Sequence, residues 1–158
     1  MKKITSILIF IILFIFSNAQ NDKEAKTYFS KYLNSKNYMT EWAKELPTLE
    51  ECKAVFKGVN ADTCYQYIEA MKDKMMKNNT GPVFVDLYIT SYTTADIIEG
   101  KSTGSMKAIG NRLQNNVTFY KIEFLKTSGA EGGVAFNYWV KINNKWVFFP
   151  KPWRAFKE

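Results

Sequence analysis

The chain contains no histidine. That absence removes Ser-His-Asp and Cys-His nucleophilic systems, together with the commonest transition-metal ligand. Only two cysteines are present, Cys52 and Cys64, too few for a four-ligand zinc site and too far apart in sequence for a redox pair. Phosphate-cradling motifs are missing as well: no GxGxxG joins a strand to a helix and no GxxxxGK[ST] occurs. The expected complement of metals and cofactors is therefore none. Long apolar runs are also scarce. The single one, Ile4 to Phe16, is shorter than the ~20 residues that a membrane-spanning helix needs.

That apolar run follows Lys2 and Lys3 and precedes Ser17-Asn18-Ala19, the small-x-small pattern read by signal peptidase. The sequence thus predicts a signal peptide over residues 1–19, cleavage between Ala19 and Gln20, and a single domain over residues 20–158 that is exported to the periplasm or beyond the cell. A retained membrane anchor is the competing reading. No cysteine directly follows the run, so it offers no thiol for lipid attachment. Cleavage takes two lysines and no acid, and the formal net charge falls from +7 to +5. Lysines and acids are mixed along the remainder rather than gathered in a basic stripe, which argues against nucleic acid as a partner.

In an oxidising compartment two cysteines are expected to pair. The local pattern supports a Cys52–Cys64 disulfide: Thr48-Leu49-Glu50-Glu51 forms a capping box ahead of a short helix carrying Cys52. Asp62 then starts a second helix with Cys64, Ile68, Met71 and Met75 on one stripe. Such a bond would close a loop of about 13 residues, worth ~3 kcal/mol by loop-closure entropy. Buried free thiols are the alternative.

Helices are expected from Asp22 to about Leu33 and around Met39, Trp42 and Leu46, ending at Pro47. From Val83 the pattern alternates as a strand does. A short capped helix over Thr94 to Gly100 and an irregular turn over Ser105 to Leu113 follow. Strands are then expected over Val117 to Leu125, Val134 to Ile142 and Lys145 to Phe149, the last two joined by Asn143-Asn144, a pair that tolerates positive φ. That hairpin puts Val140 opposite Val147 on one face. Trp139 faces Phe148 and Lys141 faces Trp146 on the other. One face is aliphatic and one aromatic, so both are expected to be covered. Helices are expected on the Tyr138, Val140 and Val147 side, leaving Trp139, Lys141 and Trp146 on an outer or cavity-lining face.

This order of elements, with the ending NYWVKINNKWVFFPKPW, resembles the cone-shaped α+β fold of the nuclear transport factor 2-like and cystatin-like superfamilies, in particular their small exported bacterial members. The resemblance implies N-terminal helices packed on a curved antiparallel sheet. It leaves function open, because those superfamilies include isomerases, dehydratases and non-catalytic binders.

Two groups of residues are candidates for a site. Asp86 and Tyr88 share one strand face, where a desolvated Asp86 could serve as general base beside a phenol; the plain alternative is an aspartate facing water on an edge strand. Glu123 with Lys121 is a second such pair. The ligand-binding candidates are Trp139, Lys141, Trp146 and Phe148, which with Trp153, Lys145, Lys151 and Arg154 could form a stacking platform for a planar ligand or glycan, or else simply pack as core. Three classes remain: a non-catalytic binder, a homodimeric interaction protein, and a small enzyme of the isomerase or dehydratase type.

Overall fold

Ala25, Phe29 and Tyr32 recur at helical spacing and are buried, and residues 22–30 form helix α1. The computed structural model describes residues 22–77 and 81–156. The expected signal peptide and the expected cleavage junction at Ala19/Gln20 lie outside the described residues. Helix α1 stops before the expected Leu33 because Asn34 turns the chain into the left-handed region, with φ of 60°, a conformation that Asn tolerates at a helix end.

Helices α2 (Tyr38–Ala43), α3 (Leu49–Val55) and α4 (Val59–Lys77) follow. Strand β1 (Asp86–Thr93), the short helices α5 (Thr94–Ile98) and α6 (Gly104–Lys107) and a 3₁₀ turn at Gly110–Arg112 come next. Strands β2 (Thr118–Leu125), β3 (Val134–Ile142) and β4 (Lys145–Phe148) and a terminal 3₁₀ turn, Pro152–Phe156, complete the chain. Helices thus precede a four-stranded antiparallel sheet in the order β1-β2-β3-β4, an α+β fold.

The hairpin forms in the expected register: Val140 pairs with Val147 and Trp139 with Phe148. Asn143 and Asn144 both have positive φ, 47° and 64°, as a two-residue turn between twisted strands requires. Two boundaries differ from expectation. Strand β1 begins at Asp86 rather than Val83, since Phe84 turns into the core while Val83 and Val85 stay exposed. Helix α4 begins at Val59, so Asp62 lies in its first turn instead of capping it. There its carboxylate faces the positive end of the helix dipole.

The expected Cys52–Cys64 disulfide is absent. Both cysteines are free and fully buried, occupying core positions on α3 and α4 as small apolar groups do. Hydrogen bonding to Cys52, then burial, pushes the Cys64 thiol well above its ordinary range.

Which sheet face the helices cover is the second correction. The rings of Phe29 on α1 and Trp42 on α2 pack against Trp139 at 4.8 and 5.5 Å between centroids. Trp146 meets Phe29 at 5.0 Å and Tyr120 at 4.9 Å. Helices α1 and α2 lie on this aromatic face, the one expected to be outer or cavity-lining, because rings on both sides favour the edge-to-face contacts that aliphatic partners cannot make, whereas Lys145, on the Val147 face of β4, reaches Glu51 of α3. On the other face Phe119, Val140 and Val147 are also buried. Tyr138 there carries Trp153 at 5.1 Å.

Capping boxes fix α3 and α5. The Thr48 hydroxyl accepts from the Glu51 N–H (3.2 Å), and the Glu51 carboxylate accepts from the Thr48 N–H (2.8 Å) and from Lys145 of β4 (2.9 Å). The Asp96 carboxylate likewise accepts from the Thr93 N–H at 2.9 Å and hydroxyl at 2.7 Å. Partial burial alone would raise Glu51, but the bonds from Thr48 and Lys145 outweigh it and its pKa lies below the ordinary value. The Thr93 hydroxyl and N–H depress Asp96 in the same way. Depressed carboxylates stabilise the fold above their unfolded pKa values, about 3.9 for Asp and 4.3 for Glu, and that contribution disappears as pH falls through the lower folded values. In urea titrations Thr48→Ala and Thr93→Ala are expected to cost about 1 kcal/mol each at neutral pH. Asp96→Asn should lose less on acidification than the parent; parallel losses would reject this role.

Candidate functional site

Strand β4 ends at Phe148 for a local reason. Pro150 has no N–H for the ladder, and Lys151, held between Pro150 and Pro152, adopts φ of 49°, turning the chain into the terminal 3₁₀ turn. A left-handed lysine costs roughly 1–2 kcal/mol. Within the sheet β4 pairs only with Trp139–Ile142 of β3, so Val134–Asn137 has no strand neighbour on that side. The outer edge of β4 itself is closed in part, since the Phe148 N–H donates to the Glu45 carbonyl at 2.7 Å.

Where β4 stops, a cleft of about 440 Å³ opens. Helix α4 contributes Met71, Lys74 and Met75, residues three and four apart that share one helix face. Met39 of α2, Phe136 and Tyr138 of β3, Phe148 and Trp153 add apolar and aromatic surface. The remaining charged lining residues, Lys151 and Arg154, come from the terminal turn. Methionine suits such a surface because its unbranched, polarisable side chain adapts to irregular partners.

The cleft is electrostatically one-sided. Lys74, Lys151 and Arg154 are exposed around it, and no carboxylate lines it. Among the described residues none of the three takes part in an ion pair. Two buried polar groups also belong to the lining. Asn137 Oδ1 has no hydrogen-bond partner, although its amide N–H reaches the Thr103 hydroxyl at 3.5 Å. Burial pushes the Tyr138 hydroxyl up; Ser105 stands close enough to temper that rise without the geometry of a hydrogen bond. Buried polar atoms without partners are uncommon in folded proteins.

The sequence candidates fall elsewhere, with partial overlap. Trp139, Trp146 and Phe148 are buried in the aromatic core, and of the three only Phe148 also reaches the cleft. Lys141 reaches back to Glu24 of α1 at 2.5 Å. A continuous stacking platform on the hairpin is therefore not formed: the helices occupy the place a ligand would take. Asp86 lies at the start of edge strand β1, where the Leu87 N–H (2.8 Å) and the Ser128 hydroxyl (3.0 Å) donate to it. These bonds hold it below the usual carboxylate range, opposite to the raised pKa that a general base at neutral pH requires. Tyr88 is half exposed. Glu123 is neutralised by Lys121 at 2.7 Å.

Reasoning from the sequence missed Met39 and Lys74, and it placed Met71 and Met75 in the core stripe of α4. Met75 is buried but Met71 only partly so. The available signal was the i, i+3, i+4 grouping of Met71, Lys74 and Met75, a cation set between two flexible apolar chains.

Among the described residues no three His, Cys, Asp or Glu side chains converge as a metal site, and no helix is long and apolar enough to cross a membrane. No protein-family model, no curated protein and no solved structure matches the chain.

Proposed function

We propose that this is an exported, non-catalytic binding module, mature from Gln20, whose site is the methionine-lined cleft between α4, β3 and the terminal turn. The observation that carries the reading is the cleft itself. Its volume, about 440 Å³, lies in the range of ~300–1,000 Å³ found for small-molecule sites, and its lining follows the same plan of apolar walls with few polar groups. The strained Lys151 beside it adds support, since backbone strain gathers at functional sites. An α+β element order resembling the nuclear transport factor 2-like and cystatin-like superfamilies belongs to the same proposal, and within them this chain would stand with the non-catalytic binders. Asp86, half-buried and held below the usual carboxylate range, gives an isomerase or dehydratase reading no comparable support.

The test uses two fluorophores of similar shape, anionic anilinonaphthalene sulfonate and uncharged phenylnaphthylamine. At least one should bind at a single site per chain. Ala135 lines the cleft from an exposed position of β3, where an aromatic residue suits a strand. Ala135→Trp should therefore weaken binding about tenfold or more, a loss of ~1.4 kcal/mol or greater, with an unchanged melting temperature. Binding by neither fluorophore, or equal binding to parent and variant, rejects the cleft as the site.

A further inference from the structure

Resting on that reading of the cleft, we infer that its ligand is a free amphipathic organic acid, with its apolar body against Met39, Met71, Phe136 and Trp153 and its anionic head among Lys74, Lys151 and Arg154. Charge complementarity decides the class. Three cations and no carboxylate face one small apolar cleft, and among the described residues none of the three is ion-paired. Uncompensated cations around an apolar hollow repel one another, and an anion bound there relieves that repulsion while burying hydrocarbon.

The cations come from two separate elements. Lys74 projects from α4, and Lys151 and Arg154 from the turn that follows Pro150. Arg154 offers a planar fork suited to a carboxylate or sulfonate, and the lysines act as point charges. The left-handed backbone at Lys151, φ 49°, is what turns the chain back here and brings its side chain to the cleft. A small concave site formed this way suits a single dissolved molecule rather than a membrane surface, which would call for a broad basic face.

Measured on the whole mature chain, anilinonaphthalene sulfonate should bind about tenfold or more tightly than phenylnaphthylamine, and its affinity should fall as salt rises. The triple variant Lys74→Gln, Lys151→Gln, Arg154→Gln, altered only at exposed positions, should lose about tenfold in sulfonate affinity, as expected from removing three weak exposed ion pairs. Its affinity for the uncharged fluorophore should not change. Decanoate should displace the sulfonate, and decyltrimethylammonium and phosphatidylglycerol vesicles should not. If the two fluorophores bind equally well and the triple variant alters neither, the anionic ligand is overturned while the cleft stands. Displacement by vesicles but not by decanoate overturns the free acid in favour of a lipid surface. Where neither fluorophore binds, the cleft and the organic acid fall together.

Discussion

Trp42→Ala should leave the chain largely unfolded at ordinary temperatures. Trp42 is fully buried, and its ring lies against six others: Tyr32 at 5.6 Å, Tyr38 at 4.8 Å, Phe124 at 5.7 Å, Phe136 at 4.5 Å, Trp139 at 5.5 Å and Phe148 at 5.6 Å. Deleting a buried tryptophan side chain costs ~3–5 kcal/mol, against a total stability of about 5–15 kcal/mol for a domain. Here the loss should fall at the upper end. The ring joins α2 to β2, β3 and β4, so no single element can move in to close the cavity. Denaturant unfolding followed by near-ultraviolet circular dichroism checks it, with Trp42→Phe expected to retain the fold at reduced stability. A loss below about 2 kcal/mol for the alanine variant, under the range for large buried aromatics, would mean that this ring is not the centre of the core.

Gly133→Ala is the second large effect expected, and its cause is backbone rather than cavity. A β-carbon at Gly133 would stand 2.3 Å from the Phe124 carbonyl oxygen and 2.7 Å from Leu125 Cδ2. Neither can retreat: Phe124 and Leu125 are fully buried in β2, and Phe124 pairs with Val134. Overpacking of this kind costs about 1–3 kcal/mol. It should also displace Val134 and Ala135, and so weaken fluorophore binding in the cleft. Gly104→Ala is the matched control, since nothing lies within 4 Å of a β-carbon there and alanine in a helix gains roughly 0.5–1 kcal/mol over glycine. Equal midpoints for the two variants would show that β2 and β3 separate easily at this end.

Local chemistry was legible wherever a few adjacent residues decide the outcome. Thr48 and Glu51 cap α3 as their spacing requires, a short capped helix starts at Thr94 as expected, and Asn143-Asn144 fixes the hairpin register down to the Trp139–Phe148 pair. Alternation along Tyr138–Ile142 likewise separates the sheet's two faces, but it carries no information about which helices cover which face. That choice rests on Phe29 and Trp42, more than 80 residues before the strands they meet, and their rings matched Trp139 rather than Val140. The cleft was hidden for a similar reason. It exists because β4 stops at Phe148 while α4 passes nearby, a coincidence of one strand's length with another element's path. The cysteines illustrate the reverse case, in which composition and compartment suggested a bond and burial of Cys52 and Cys64 as thiols replaced it.

The position of Trp42 between the first helices and the last hairpin sets the order in which a growing chain can become a folded one. Four of the six rings around it, Phe124, Phe136, Trp139 and Phe148, are supplied by residues more than 80 positions later in the chain. Helices α1 to α4 can form early, since their contacts are local, yet until the hairpin arrives they have little to close upon. Until those rings are in place the N-terminal half has no finished core. Arrival of the β3–β4 hairpin, and not helix formation, commits this protein to its native state.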